Sequence, residues 1–181
     1  LTQLPAIAEA PRITIVAERA RRLGAAGVLG MLSREQLEKI ANEQDEQTYA
    51  EGEQIIRQGE PGTSMFIITE GEVTVSVKVP DEERVLLRRL QVGEYFGEMS
   101  LMTGEPRSAT VTATTETRVF EVTRASFREI LEQQPGLLKK IGENIHRRLL
   151  EREEAVEGAR SQRLSETSSD ILTSMKEFFG L

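Results

Sequence analysis

The sequence predicts an α+β, mainly β, protein: a small β sandwich or roll held between helical segments. Three observations carry that expectation. Between about Gln47 and Val122, short β-favouring runs are punctuated by Gly52, Gly59, Gly62, Gly71 and Gly93, the texture of a compact all-β unit. Within it Val73, Val75, Val77 and Val79 alternate with Thr74, Ser76 and Lys78, the period of two that marks a strand with one buried face. On either side the apolar residues recur at helical spacing instead.

The elements follow in order. Residues 1–46 read as an N-terminal helical segment. Ile13, Val16, Ala17 and Ala20 keep a 3.6-residue period until Gly24 and Gly27 interrupt it. Ser33 with Gln36 three residues on is a capping box, opening a short helix whose apolar face is Leu37, Ile40 and Ala41. The β unit occupies 47–123, with strand runs at Gln54–Arg57, Met65–Thr69, Val73–Val79, Val85–Leu90, Ala109–Ala113 and Arg118–Val122. Pro80–Arg84 is a charged hairpin loop between two of them. In 124–150 the helical period returns. Phe127, Ile130 and Leu131 make a short helix that Pro135 stops, and Leu138, Ile141, Ile145 and Leu149 form the stripe of a longer one. Residues 151–181 read as a polar linker and an amphipathic tail helix, whose face is Ile171, Leu172, Met175, Phe178 and Phe179.

Composition narrows the function. The 181 residues carry 30 acidic and 23 basic side chains, a pI near 5.0. No basic face stands out to neutralise phosphates, so nucleic acid is not the expected partner. Zero cysteines and one histidine, His146, remove disulfides, thiolate chemistry and a multi-histidine metal cage. No Ser-His-Asp or Cys-His set can be assembled without His146, far in sequence from the stretch described next, so the expectation is no enzyme and no metal. No apolar run approaches the ~20 residues that span a bilayer. A start at Leu1 without Met is expected of a piece of a longer polypeptide, and N-terminal processing gives the same start.

The informative stretch is YFGEMSLMTGEPRSATV, residues 95–111. Gly97 lets a ligand approach the backbone, and the helical run after it offers unpaired N–H groups to an anion. Nine residues beyond Glu98, Arg107 adds a planar fork of donors that matches phosphate oxygens. Ser108 adds a hydroxyl and Ala109 leaves its N–H accessible. Glu98 then suits a sugar hydroxyl, since a second anion beside phosphate repels it. The alternative is a β-bend with Glu98 and Arg107 paired at its rim.

FGEMSLMTGEPRSATV resembles the phosphate-binding cassette of cyclic nucleotide-binding domains, and EGEQIIRQGEPGTSMFIITEGEVTV resembles the early strands of the same family. The resemblance covers roughly Gln36 to Leu150 and implies an eight-stranded β-roll (jelly roll) flanked by N-terminal helices and C-terminal lid helices. It implies a cassette at 96–110 in which Glu98 binds the ribose 2′-hydroxyl and Arg107 the cyclic phosphate. The backbones of Gly97 and Ala109, with Ser108, complete the phosphate cradle, Met99 and Ser100 are further ligand-binding positions, and Val75 faces the base. The long C-terminal helix is the implied lid, with Ile145, Arg148 or Leu149 touching the base. Ser108, where cyclic GMP-preferring members carry Thr, implies that cyclic AMP binds at least as tightly as cyclic GMP.

The resemblance also implies a sensor that regulates a fused or associated effector. A cyclic nucleotide-gated channel is the first candidate, in the bacterial or the mechanosensitive-channel-like branch. It would be a homo-oligomer through the full-length protein, touching a membrane only through a fused region, with this domain on the cytoplasmic side. A stand-alone sensor, a transcription regulator or a kinase-regulatory protein is the alternative. The tail beyond Leu150 is short and acidic for a DNA-binding module, and there is one cassette where kinase regulators resemble two.

Overall fold

The computed structural model describes the backbone at residues 10–25, 27, 29–30, 32–43, 46–79 and 84–179, with side chains within 15–162. Ile13, hairpin residues 80–83 and the expected tail face from Ile171 to Phe179 lie outside the described side chains.

Helices α1 (Ala10–Ala25) and α2 (Arg34–Glu43) precede the β unit. The capping box forms as the spacing requires: the Ser33 N–H donates to Gln36 Oε1 at 2.8 Å and the Gln36 N–H to Ser33 Oγ at 3.3 Å. Leu37, Ile40 and Ala41 are buried as one face.

Eight strands follow, as expected: β1 (Glu46–Tyr49), β2 (Gln54–Ile56), β3 (Ser64–Glu70), β4 (Glu72–Lys78), β5 (Arg84–Gln91), β6 (Tyr95–Phe96), β7 (Thr110–Ala113) and β8 (Thr117–Thr123). They form two antiparallel four-stranded sheets, ordered β1-β8-β3-β6 and β2-β7-β4-β5, and no closed barrel. β1 and β6 are the two that local pattern does not single out, because four largely polar residues and a dipeptide carry no alternation of their own.

Burial explains the layering. Phe66 and Ile68 of β3 pack between the sheets with Val73, Val75 and Val77, while Met65 and Ile67 pack outward against the helices. A strand covered on both faces reads as a continuous apolar run, as SMFIIT does. The helix-side cluster joins Leu23, Leu37 and Ile40 to Phe120, Phe127, Ile130, Leu137 and Ile141.

After β6 comes α3 (Glu98–Thr103), and after β8 come α4 (Arg124–Gln133) and α5 (Gly136–Phe179). α4 is capped by Thr123, whose side chain accepts from the Ser126 N–H. α5 runs 44 residues without a break, through the boundary expected at 150. No helix among the described residues is long and apolar enough to cross a membrane.

The expected α5 stripe is corrected in phase. Leu138 is 54% exposed and Leu149 38%, whereas Leu137 and Ile141 are fully buried. Once these two dock into the helix-side core, 3.6 residues per turn carries the inward face to Arg148, about 20° off the line of Ile141, and leaves Leu149 about 80° off.

Candidate functional site: a pocket under the long helix

One pocket gathers every cassette residue singled out in the sequence: Val75, Gly97, Glu98, Met99, Ser100, Arg107, Ser108 and Ala109 all line it. Of the three lid candidates only Arg148 does. Ile145 packs against the helix-side core and Leu149 faces outward.

The chain builds the pocket from three directions. Gly97 sits at φ 82° as the N-terminal cap of α3, a backbone region that suits glycine. The turn carries Glu98 inward, where it is 1% exposed. From the β6–β7 connection comes Arg107, 6% exposed. Its Nη1 donates to the carbonyls of Ser64 at 2.6 Å and Gly97 at 2.9 Å, and its Nη2 to Ser64 Oγ at 3.3 Å. Its guanidinium lies 5.7 Å from the Phe66 ring centre. Gly62 makes room for it: a Cβ there would fall 2.0 Å from Arg107 Nε. Every hydrogen-bond partner of Arg107 described is thus neutral. Burial pushes its guanidinium below the ordinary value, against the opposing fields of Glu121 and Glu98.

The third direction is α5. Arg148, 9% exposed, donates to Glu98 Oε1 at 2.6 Å and to the Tyr95 carbonyl at 2.8 Å, with its guanidinium 4.8 Å from the Tyr95 ring centre. Glu98 therefore takes Arg148, not Arg107, as its ion-pair partner, and the rim salt bridge weighed as an alternative is not formed. Arg88 of β5 reaches back up, donating to the Arg148 carbonyl at 3.4 Å and pairing with Glu151 at 3.0 Å. Asn144 adds a hydrogen bond to the Tyr95 hydroxyl. Burial, first, and the nearby Arg148 charge push the Arg88 guanidinium below its ordinary value.

Two charged pocket residues escaped the sequence reading, Arg88 and Arg152. Strict alternation from Val85 points Arg88 away from the sandwich. A bulge decides otherwise: Val75 pairs with Arg88 and Ser76 with Leu86, so Leu87 is the extra residue that re-phases the strand. Arg152, four residues after Arg148, had a legible signal in helical spacing, but the expected lid ended at 150.

The arrangement offers one buried cation with neutral partners, one carboxylate that can accept further hydrogen bonds, and an apolar slot between Val75, Leu87 and Val111. Those are receptors for an anion, a hydroxyl-bearing sugar and a flat apolar ring. Residues 46–134 match the family described as the cyclic nucleotide-binding domain, and this part of the chain belongs to that family, whose members are regulatory sensors. The chain is 38% identical over 112 residues to a cyclic nucleotide-gated potassium channel of Mesorhizobium japonicum, covering 62% of this chain and 28% of the channel. It is 32% identical over 113 residues to a cAMP-dependent protein kinase regulatory subunit of Hypocrea atroviridis, covering 62% of this chain and 23% of that one. Among solved structures it superposes on the cAMP-bound regulatory domain of Toxoplasma gondii PKA with a TM-score of 0.68 at 26% identity, over 77% of this chain and 54% of that one. The chain thus spans about a quarter of the length of such curated relatives.

Proposed function

We propose that the pocket binds a cyclic nucleotide, cyclic AMP first and cyclic GMP second, and that α5 relays occupancy to an effector. The observation that carries this reading is Arg107, a buried guanidinium with neutral hydrogen-bond partners. A charge held out of water is costly unless an opposite charge meets it, and a cyclic phosphodiester brings one. Arg107 with Ser108 and the Gly97 and Ala109 backbones would hold the phosphate, Glu98 the ribose 2′-hydroxyl, and Val75 with its apolar neighbours the base. Met99 and Ser100 would shape the cradle, and Arg148 would be the lid residue nearest the ligand.

For the effector we propose a cyclic nucleotide-gated ion channel, which would make this the cytoplasmic part of a homo-oligomeric membrane protein. Similarity to potassium channels over the cassette supports it; similarity to kinase regulatory subunits supports the alternative of a sensor fused to, or associated with, another effector. The coding sequence upstream of Leu1 tests the host. Apolar spans of about 20 residues support a channel, and their absence sinks it.

The binding test is calorimetry with both nucleotides. The expected result is saturable one-to-one binding with cyclic AMP at least as tight as cyclic GMP. Binding of neither overturns the sensor reading, and a clear cyclic GMP preference overturns the ligand order. Gly62→Ala probes the seat of Arg107. The new methyl displaces the guanidinium from Ser64, so cyclic AMP affinity is expected to fall about tenfold, the value of one charge-assisted hydrogen bond, while the ligand-free fold persists. Unchanged affinity counts against Arg107 as the anion partner.

A further inference from the structure

The described methionines differ in where their sulfur lies. Met65 is fully buried, and Met102 packs on the helix-side core. Met99 is only half-buried and lines the pocket. Its Sδ accepts a hydrogen bond from Ser108 Oγ at 3.3 Å, which sets the sulfur against a hydroxyl of the phosphate cradle. A thioether is a weak acceptor, so this contact leaves the Ser108 proton free to turn to a phosphate oxygen.

The 181 residues include no cysteine, the side chain whose thiolate peroxides otherwise meet first. Thioether sulfur is then the softest electron donor present. Of the described thioethers, the one at Met99 combines access from the pocket with contact to the cradle. Met31 and Met175 lie outside the described side chains.

We propose that Met99 is an oxidation site through which a peroxide lowers the pocket's affinity for its ligand. This rests on the reading of the pocket as a cyclic nucleotide site. The sulfur gives an electron pair to one oxygen of hydrogen peroxide, so an S–O bond forms and the O–O bond breaks. The proton of the transferred oxygen passes to the departing hydroxide, leaving methionine sulfoxide and water. Sulfur is oxidised by two electrons and the peroxide is reduced by two. The new oxygen is a strong acceptor with partial negative charge. It holds the Ser108 proton, which takes a donor from the phosphate, and it places like charge beside the anion. A bound nucleotide covers Met99, so occupancy protects the site. Methionine sulfoxide reductases return the thioether and with it the affinity.

The test treats the chain with hydrogen peroxide, with and without saturating cyclic AMP. Peptide mass spectrometry maps the sulfoxide, and calorimetry after removal of peroxide and nucleotide measures affinity. Met99 is expected to oxidise in the empty chain and several-fold more slowly in the occupied one. Cyclic AMP affinity should fall about tenfold, the loss of one hydrogen bond to a charged acceptor. That fall should track the fraction of Met99 sulfoxide and reverse with the reductases. Met99→Leu has no sulfur there, so whatever affinity it starts with should be the same before and after peroxide. An unreactive Met99, equal rates with and without nucleotide, or a sulfoxide that leaves affinity unchanged each overturns the proposal. So does an equal loss in Met99→Leu, which would assign the effect to another methionine. If that variant does not fold, the wild-type map decides: a loss out of step with Met99 sulfoxide overturns the proposal. If the untreated wild-type chain binds no cyclic nucleotide, the reading of the pocket falls and this proposal falls with it.

Discussion

Arg107→Ala is expected to weaken cyclic AMP binding by about 30- to 1,000-fold, the largest loss from any single side chain of the pocket. Truncating one partner of a buried charge pair removes about 2–5 kcal/mol. Partial solvent access narrows this to roughly 2–4, at about 1.4 kcal/mol per decade. Arg107→Lys should fall between, since an ammonium keeps the charge but not the two aligned donors. The ligand-free fold should change by no more than about 1 kcal/mol. The hydrogen bonds to Ser64 and Gly97 are lost, but so is a desolvated charge with neutral partners. Calorimetry and a ligand-free melting curve on the same variant are the measurements. Wild-type affinity would remove the phosphate role from Arg107. A collapsed ligand-free fold would make it a structural residue.

Glu98→Ala is expected to act more on α5 than on the ligand. For the ligand it removes hydrogen bonds to a neutral hydroxyl, about 1 kcal/mol or about fivefold. For the protein it leaves the Arg148 guanidinium buried beside Tyr95 with no counter-ion. Breaking a buried pair from one side destabilises by about 3–5 kcal/mol. Here about 1–3 is expected, because α5 can swing Arg148 out to water. Amide exchange should therefore accelerate from Leu138 to Leu149 while the sandwich strands keep their protection. Removing Arg148 as well should restore part of the loss, since no buried charge is then left alone. Wild-type exchange across α5 in Glu98→Ala would show that the pair does not hold the helix. Failure of the double variant to recover would place the effect in packing.

These two variants separate the functions that one short motif compresses. In the sequence Glu98 and Arg107 look like one cluster, nine residues apart. In the structure they face different partners: Arg107 leans on the neutral turn at Gly62–Ser64, and Glu98 is tied to the helix above. A change at either end of the motif thus has its own readout, affinity for one and the stability of α5 for the other.

What the sequence by itself determined is whatever is written locally. The valine alternation of β4, the Ser33–Gln36 cap, the Pro135 stop and the spacing of the cassette each lie within a few residues and involve neighbours along the chain. They needed no tertiary information to be read, and each is found where the pattern puts it. What only the tertiary structure decided is phase and pairing over distance. The rotation of α5 is set by Leu137 and Ile141 docking into a core built by β8 and α4, so Arg148 and not Leu149 faces the pocket. A single bulge at Leu87 turns Arg88 inward, and no local pattern says which residue of VLLRRL will be the extra one. The Glu98–Arg148 pair joins residues fifty positions apart. Periodicity reports that a helix or strand has an apolar face, but the direction of that face is fixed by the partners it packs against, and those come from elsewhere in the chain.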